Sequence, residues 1–139
     1  MKKLTGIVIV LCFTMLCSQT ASAGHLEIIP INRGEQVTTS NSPTEVSEMT
    51  VHHSVKGNDV YIECIIPGFS FVADGVKKTM KRGEGHLHLH VNGKKAMDVN
   101  QAAFILKGLP KGKHEIKLEL VHNNQKPYGI DDTFTVHIQ

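Results

Sequence analysis

Residues 86–99 read HLHLHVNGKKAMDV, two runs joined by Asn92-Gly93. Asn-Gly beside an alternating segment is the strongest short signal for a two-residue hairpin turn, because both turn positions need positive φ. The pattern predicts strands at 86–91 and 94–99. Side chains alternate between the two faces of a strand, so His86, His88 and His90 share one face while Leu87 and Leu89 share the other. A sheet built this way must bury its leucine face and leaves three imidazoles side by side on the opposite one.

The rest of the chain has the same texture. Leu26–Ile29 is a short strand candidate, and 32–48 is polar and irregular. Met49–Val55 and Val60–Ile66 form a second expected hairpin around Gly57-Asn58-Asp59. Residues 73–85 read as a loop. Ala103–Leu106 is a short apolar run. Lys113–Val121 alternates, with Ile116, Leu118 and Leu120 inward and Lys117 and Glu119 outward. After a loop over 123–131, Thr133–Ile138 places Phe134, Val136 and Ile138 inward. There is no internal repeat and no long segment of helical period. Seven to eight short strands at this spacing predict an all-β chain, an antiparallel immunoglobulin-like β-sandwich, with a small barrel as the alternative.

The first 23 residues stand apart. Lys2 and Lys3 precede an apolar run from Leu4 to Leu16, and Ala21-Ser22-Ala23 closes it, the layout of a cleaved secretory leader. The run is shorter than the ~20 residues a spanning helix needs, so no membrane span is expected. The domain reading is a signal peptide at 1–23, an N-terminal strand and polar loop at 24–48, and a sandwich body at 49–139, the last two forming one domain. The expected location is extracytoplasmic: periplasm, cell surface or medium. Without the leader the chain has 13 basic and 13 acidic residues, and this balance offers no general attraction to nucleic acid. Cys64 is then the only cysteine, so no intramolecular disulfide supports the fold. With Ile62 and Ile66 on its own side of a strand, it reads as a buried thiol. A blue-copper site is rejected because no histidine follows it closely.

Nine histidines in so short a chain point to metal chemistry. A tetrahedral ion holds its nitrogens at ~2.0–2.1 Å. Neighbouring imidazoles on a strand start from Cα atoms about 6.6 Å apart and can lean together, but three in a row span about 13 Å. The expectation is therefore a pair from His86, His88 and His90 plus a ligand from an adjacent strand, for which His52, His122 and His137 are candidates. The plain alternative is an exposed strand face that happens to carry histidine. His25 is a second lead: cleavage after Ala23 or Gly24 puts its imidazole beside a free amine, a chelating pair suited to Cu(II). His53 shares the parity of Val51 and Val55 and reads as a core or boundary residue, and His114 as structural. Met80 and Met97 are each available as one soft ligand. Lys77, Lys78, Lys81 and Arg82 crowd one loop, read as solvated or as touching an anionic cell-wall polymer or lipid headgroups. No phosphate-binding loop, nucleophile elbow or zinc-protease helix is present.

The leader, Gly24-His25, the strand GHLHLHVNG and the segment Gly112-Lys113-His114-Glu115-Ile116 resemble small exported bacterial Ig-like and cupredoxin-like β-sandwich proteins associated with copper, of the CopC type. The resemblance spans about residues 84–138. It implies an exported, non-enzymatic carrier or buffer of copper or zinc ion. The competing expectation is an Ig-like domain that meets an envelope protein or cell-wall polymer without metal. A third, an oxidative copper enzyme with a histidine brace, would require His25 as the first residue.

Overall fold

The computed structural model describes residues 24–31, 45–73 and 80–139. The leader, most of the 32–48 loop, and Lys77 and Lys78 lie outside the described residues. The described residues form nine strands: β1 (Glu27–Pro30), β2 (Thr50–Lys56), β3 (Asp59–Ile65), β4 (Ser70–Phe71), β5 (Glu84–Val91), β6 (Lys94–Val99), β7 (Ala103–Lys107), β8 (Gly112–His122) and β9 (Pro127–Ile138). No helix among them is long and apolar enough to cross a membrane.

Two sheets face each other. One has the order β1-β7-β3-β2. In the other, β5 pairs with β8 and β8 with β9, while β6 and the short parallel strand β4 share the outer edge of β5. Thus β2, β3 and β7 occupy the places of strands A, B and E of an immunoglobulin-type sandwich, and β6-β5-β8-β9 those of C′, C, F and G. β1, from the N-terminal segment, pairs beside β7 where strand D would lie. The chain is an all-β immunoglobulin-like sandwich.

Its core is mainly aliphatic and drawn from the inward positions of the alternating strands. Ile62, Leu87, Leu89, Phe104, Leu106, Ile116, Leu118, Leu120 and Ile138 are all buried between the sheets. Cys64 joins them as a free thiol, and burial, with the charges of Asp132 and Glu63, pushes its pKa up to about 12. His53 of β2 stacks on Phe134 of β9 with ring centroids 4.0 Å apart, so it closes an open side of the sandwich while itself exposed.

The structure departs from expectation in three places. β4 is a two-residue parallel strand, too short to show a period. Val46, in the stretch that reads as polar and irregular, is buried. β9 begins at Pro127, inside the expected loop. Gly129, at φ 80°, sits in the register shift opposite Glu119–Val121, a bulge that lets the strand continue past a residue resembling a turn signal.

The β5–β6 turn is the expected one: Asn92 and Gly93 have φ of 51° and 79°, as a type I′ turn needs. Asn92 does more than turn the chain. Its backbone N–H donates to Glu115 O at 2.8 Å, its Oδ1 accepts from Glu115 N at 3.0 Å, and its Nδ2 donates to His114 Nδ1 at 3.1 Å. His114 Nε2 then donates to Pro110 O at 2.8 Å, so this buried ring is neutral and structural. Asn92→Ala should cost about 2–4 kcal/mol, from left-handed strain and two lost side-chain hydrogen bonds. Asn92→Gly should cost less, since it keeps the turn. Urea unfolding of the pair measures the difference.

Candidate metal centre

β5 runs between β6 and β8, and its outward residues are the three histidines. Their partners decide what the face can do. Across β8, His88 sits opposite Glu119 and His90 opposite Lys117. Across β6, His88 sits opposite Asp98. This second pairing depends on a bulge. A regular ladder from the Asn92-Gly93 turn would place Met97 opposite His88 and turn Asp98 toward the core. Instead the register shifts at Leu89/His90, with Ala96 as the extra residue, and the next three pairs are Leu89↔Met97, His88↔Asp98 and Leu87↔Val99. One added residue reverses the face of everything beyond it. Met97 therefore packs against the core rather than offering its sulfur, and Asp98 joins the histidines.

Two donor groups result: His86, His88 and Asp98, and His88, His90 and Glu119, with the ligand atoms of each within 4.8 Å of one another. His88 Nε2 lies 3.4 Å from Asp98 Oδ1, and His86 Nε2 lies 3.9 Å from Asp98 Oδ2. Glu119 Oε2 lies 3.7 Å from His88 Nδ1 and 3.6 Å from His90 Nε2. Nitrogens on a tetrahedral ion stand about 3.4 Å apart, so side-chain adjustments on the order of 1 Å would close either group.

The third donor that the structure brings close to each β5 pair is a carboxylate from a neighbouring strand, where the sequence predicts a histidine. His52 lies on β2 in the other sheet, in a shallow groove lined also by Lys56, Tyr61 and Glu63. His25 is exposed just before β1, also on the other sheet. His122 ends β8 with the parity of Leu118 and Leu120, and its ring stacks on Tyr128 at 3.5 Å. His137 is exposed on β9, opposite Lys113. None of these four enters a donor group with the β5 histidines among the described residues. Met80 is exposed.

Gln125 was missing from the sequence reading. It lies in the β8–β9 turn at φ 68° and brings its amide across the first group. Its Nε2 donates to His86 Nε2 at 3.2 Å, and its Oε1 accepts from His88 Nε2 at 2.7 Å. The proton of a neutral His88 therefore sits on Nε2, and its Nδ1 lone pair faces the Glu119 carboxylate. His90 Nε2 faces the same oxygen, is buried, and has no hydrogen-bond partner among the described residues. Two imidazole nitrogens and a carboxylate oxygen at these separations make a donor set that suits a cation.

The charges around the site fit the same reading. Burial, aided by the charges of His88 and Lys95, lowers the His86 pKa below its ordinary 6.5, against the pull of Asp98 and the Gln125 hydrogen bond. Burial alone would raise the Asp98 carboxyl, but the hydrogen bond and charge of Lys95, with His86 and His88, hold it below its usual value. A neutral His86 is the form that binds metal, so protons compete for it less than for a free imidazole. Because the unfolded chain protonates first, the His86 contribution to stability is complete above about pH 6.5 and is lost as pH falls toward the folded value. Urea midpoints of the metal-free protein should drop between about pH 7.5 and about pH 5.5, and His86→Gln should flatten that drop.

Lys95 Nζ holds Asp98 Oδ1 at 2.7 Å, so it competes with any cation for that oxygen. Lys95→Met should tighten metal binding by about three- to tenfold, since a like charge beside a partly buried divalent ion is repulsive. Calorimetric titration of both proteins checks this.

No protein-family model matches the chain, and no curated protein matches it. Among solved structures, the Clostridium thermocellum CbhA fibronectin(III)-like modules match with 14% identity and a TM-score of 0.39, over 65% of this chain and 97% of that one. The fold assignment rests on the strand order above, and none of these comparisons links the chain to copper-associated exported proteins. The described chain belongs, by its topology, among immunoglobulin-like sandwiches.

Proposed function

We propose that this chain is an exported, non-catalytic Ig-like binding module whose working surface is the β6-β5-β8-β9 face, and that this face takes up a Cu(II) or Zn(II) ion as a carrier or buffer. The observation that carries the reading is the convergence of three imidazoles from one strand on two carboxylates from its two neighbours, with His90 Nε2 buried and unpartnered. Imidazole and carboxylate suit either ion, and no cysteine joins the groups among the described residues. The leader pattern of residues 1–23 is what supports the location. Titrating the exported protein, without an affinity tag, against Zn(II) and Cu(II) tests the reading. Saturable binding that disappears in a His86→Ala/His88→Ala/His90→Ala variant supports it, and unchanged binding in that variant overturns it.

A second reading, contact with an envelope protein or cell-wall polymer without metal, has its own supporting observation. The Gln125 amide satisfies His86 and His88 with no ion present. Capture from an envelope fraction that persists in chelator favours this reading.

A further inference from the structure

We propose that the β5 face holds two ions rather than one, bridged by His88 through both nitrogens of its ring. The inference rests on the metal-binding reading above and goes beyond it in stoichiometry and chemistry. His88 is the one residue common to both donor groups, and it meets them with different atoms. Its Nε2 faces Asp98 at 3.4 Å, and its Nδ1 faces Glu119 at 3.7 Å. The two nitrogens point away from the ring in opposing directions, so a single ion at ~2.0–2.1 Å from one is out of reach of the other. The ring centroids step along the strand, 5.3 Å from His86 to His88 and 6.3 Å from His88 to His90, and leave one compartment on each side of the middle ring.

Each compartment has its own donors. The first has His86 Nε2, His88 Nε2 and an Asp98 oxygen, with Gln125 Oε1 already 2.7 Å from His88 Nε2 and placed to serve as a fourth donor. The second has His88 Nδ1, His90 Nε2 and Glu119 Oε2. The second does not depend on displacing Gln125, and its His90 nitrogen lacks any other partner among the described residues.

The proton accounting is simple. Neutral His88 carries one N–H. The first ion to arrive uses the free lone pair. The second replaces that proton, which passes to solvent, and His88 becomes an imidazolate between two cations. No electron is transferred. Asp98, Glu119 and the imidazolate then set three negative charges against four positive ones, with Lys95 close by, so the second ion binds more weakly, by about tenfold or more.

The test is Cu(II) loading of the exported protein, followed by native mass spectrometry and electron paramagnetic resonance. His25→Ala is run in parallel to remove the N-terminal chelate. The expected result in the His25→Ala protein is two coppers per chain, with a spin signal that grows over the first equivalent and falls over the second as the spins couple through the ring. His90→Ala should stop at one copper and keep its signal. A single copper in the His25→Ala protein overturns the two-ion inference and leaves the single-ion reading standing. Two coppers with uncoupled spins overturn the bridge. Failure to bind any ion overturns both readings.

Discussion

Replacing His88 with alanine is expected to weaken binding of Zn(II) or Cu(II) by at least about a hundredfold, more than any other single change on this face. The reason is its position. His86 and His90 each serve one donor group, whereas His88 serves both. Without it each group keeps one imidazole and one carboxylate, a pair common on protein surfaces that holds an ion weakly. His86→Ala and His90→Ala should each leave the other group intact and cost less. The fold should tolerate the change, since the His88 ring lies on the outer face and its burial is not part of the leucine core. Competition against a chromophoric chelator measures the three affinities, and circular dichroism confirms that the variants are folded. Equal losses in all three would contradict the division into two groups.

Phe104→Ala should destabilise the sandwich by about 3–5 kcal/mol, the usual cost of emptying a large aromatic site. Phe104 is fully buried on β7, paired with Ile62 of β3 on one side and Pro30 of β1 on the other. It is among the largest wholly buried side chains in a core with few aromatics to share the load. Domains of this kind are stable by only about 5–15 kcal/mol, and Cys64 is a free thiol, so no cross-link limits the loss. Ile65→Ala, at a position 49% exposed on β3, should change stability by less than about 0.5 kcal/mol. Urea unfolding of the two variants tests the contrast. A similar cost for both would mean that the core is not where the strand pairing places it.

The hairpins were legible because their residues repeat a local rule. Val60–Ile66 and Met49–Val55 alternate around a turn signal, and β3 and β2 fall within a residue of those limits. The β5–β6 turn is where Asn92-Gly93 puts it. Local rules fail where the ladder itself is irregular. Gly129 resembles a loop residue and is a bulge inside β9. Ala96 carries no mark of being an extra residue, yet it decides that Asp98 and not Met97 stands beside His88. Glu119 was legible as outward-facing, but its place next to His88 and His90 depends on β8 pairing with β5. That pairing links residues about thirty apart, which periodicity within a strand does not encode. Gln125 was hidden for the same reason: its side chain matters only because the β8–β9 turn folds back over the end of β5.

Crystals of the exported protein grown with Zn(II), with data recorded on both sides of the zinc absorption edge, test the account most directly. The account predicts an anomalous peak on the outer face of β5, within about 2.0–2.2 Å of a His88 nitrogen and of an Asp98 or Glu119 oxygen. A peak only at His25 or on the other sheet, or no peak with the Gln125 amide still spanning His86 and His88, would contradict it.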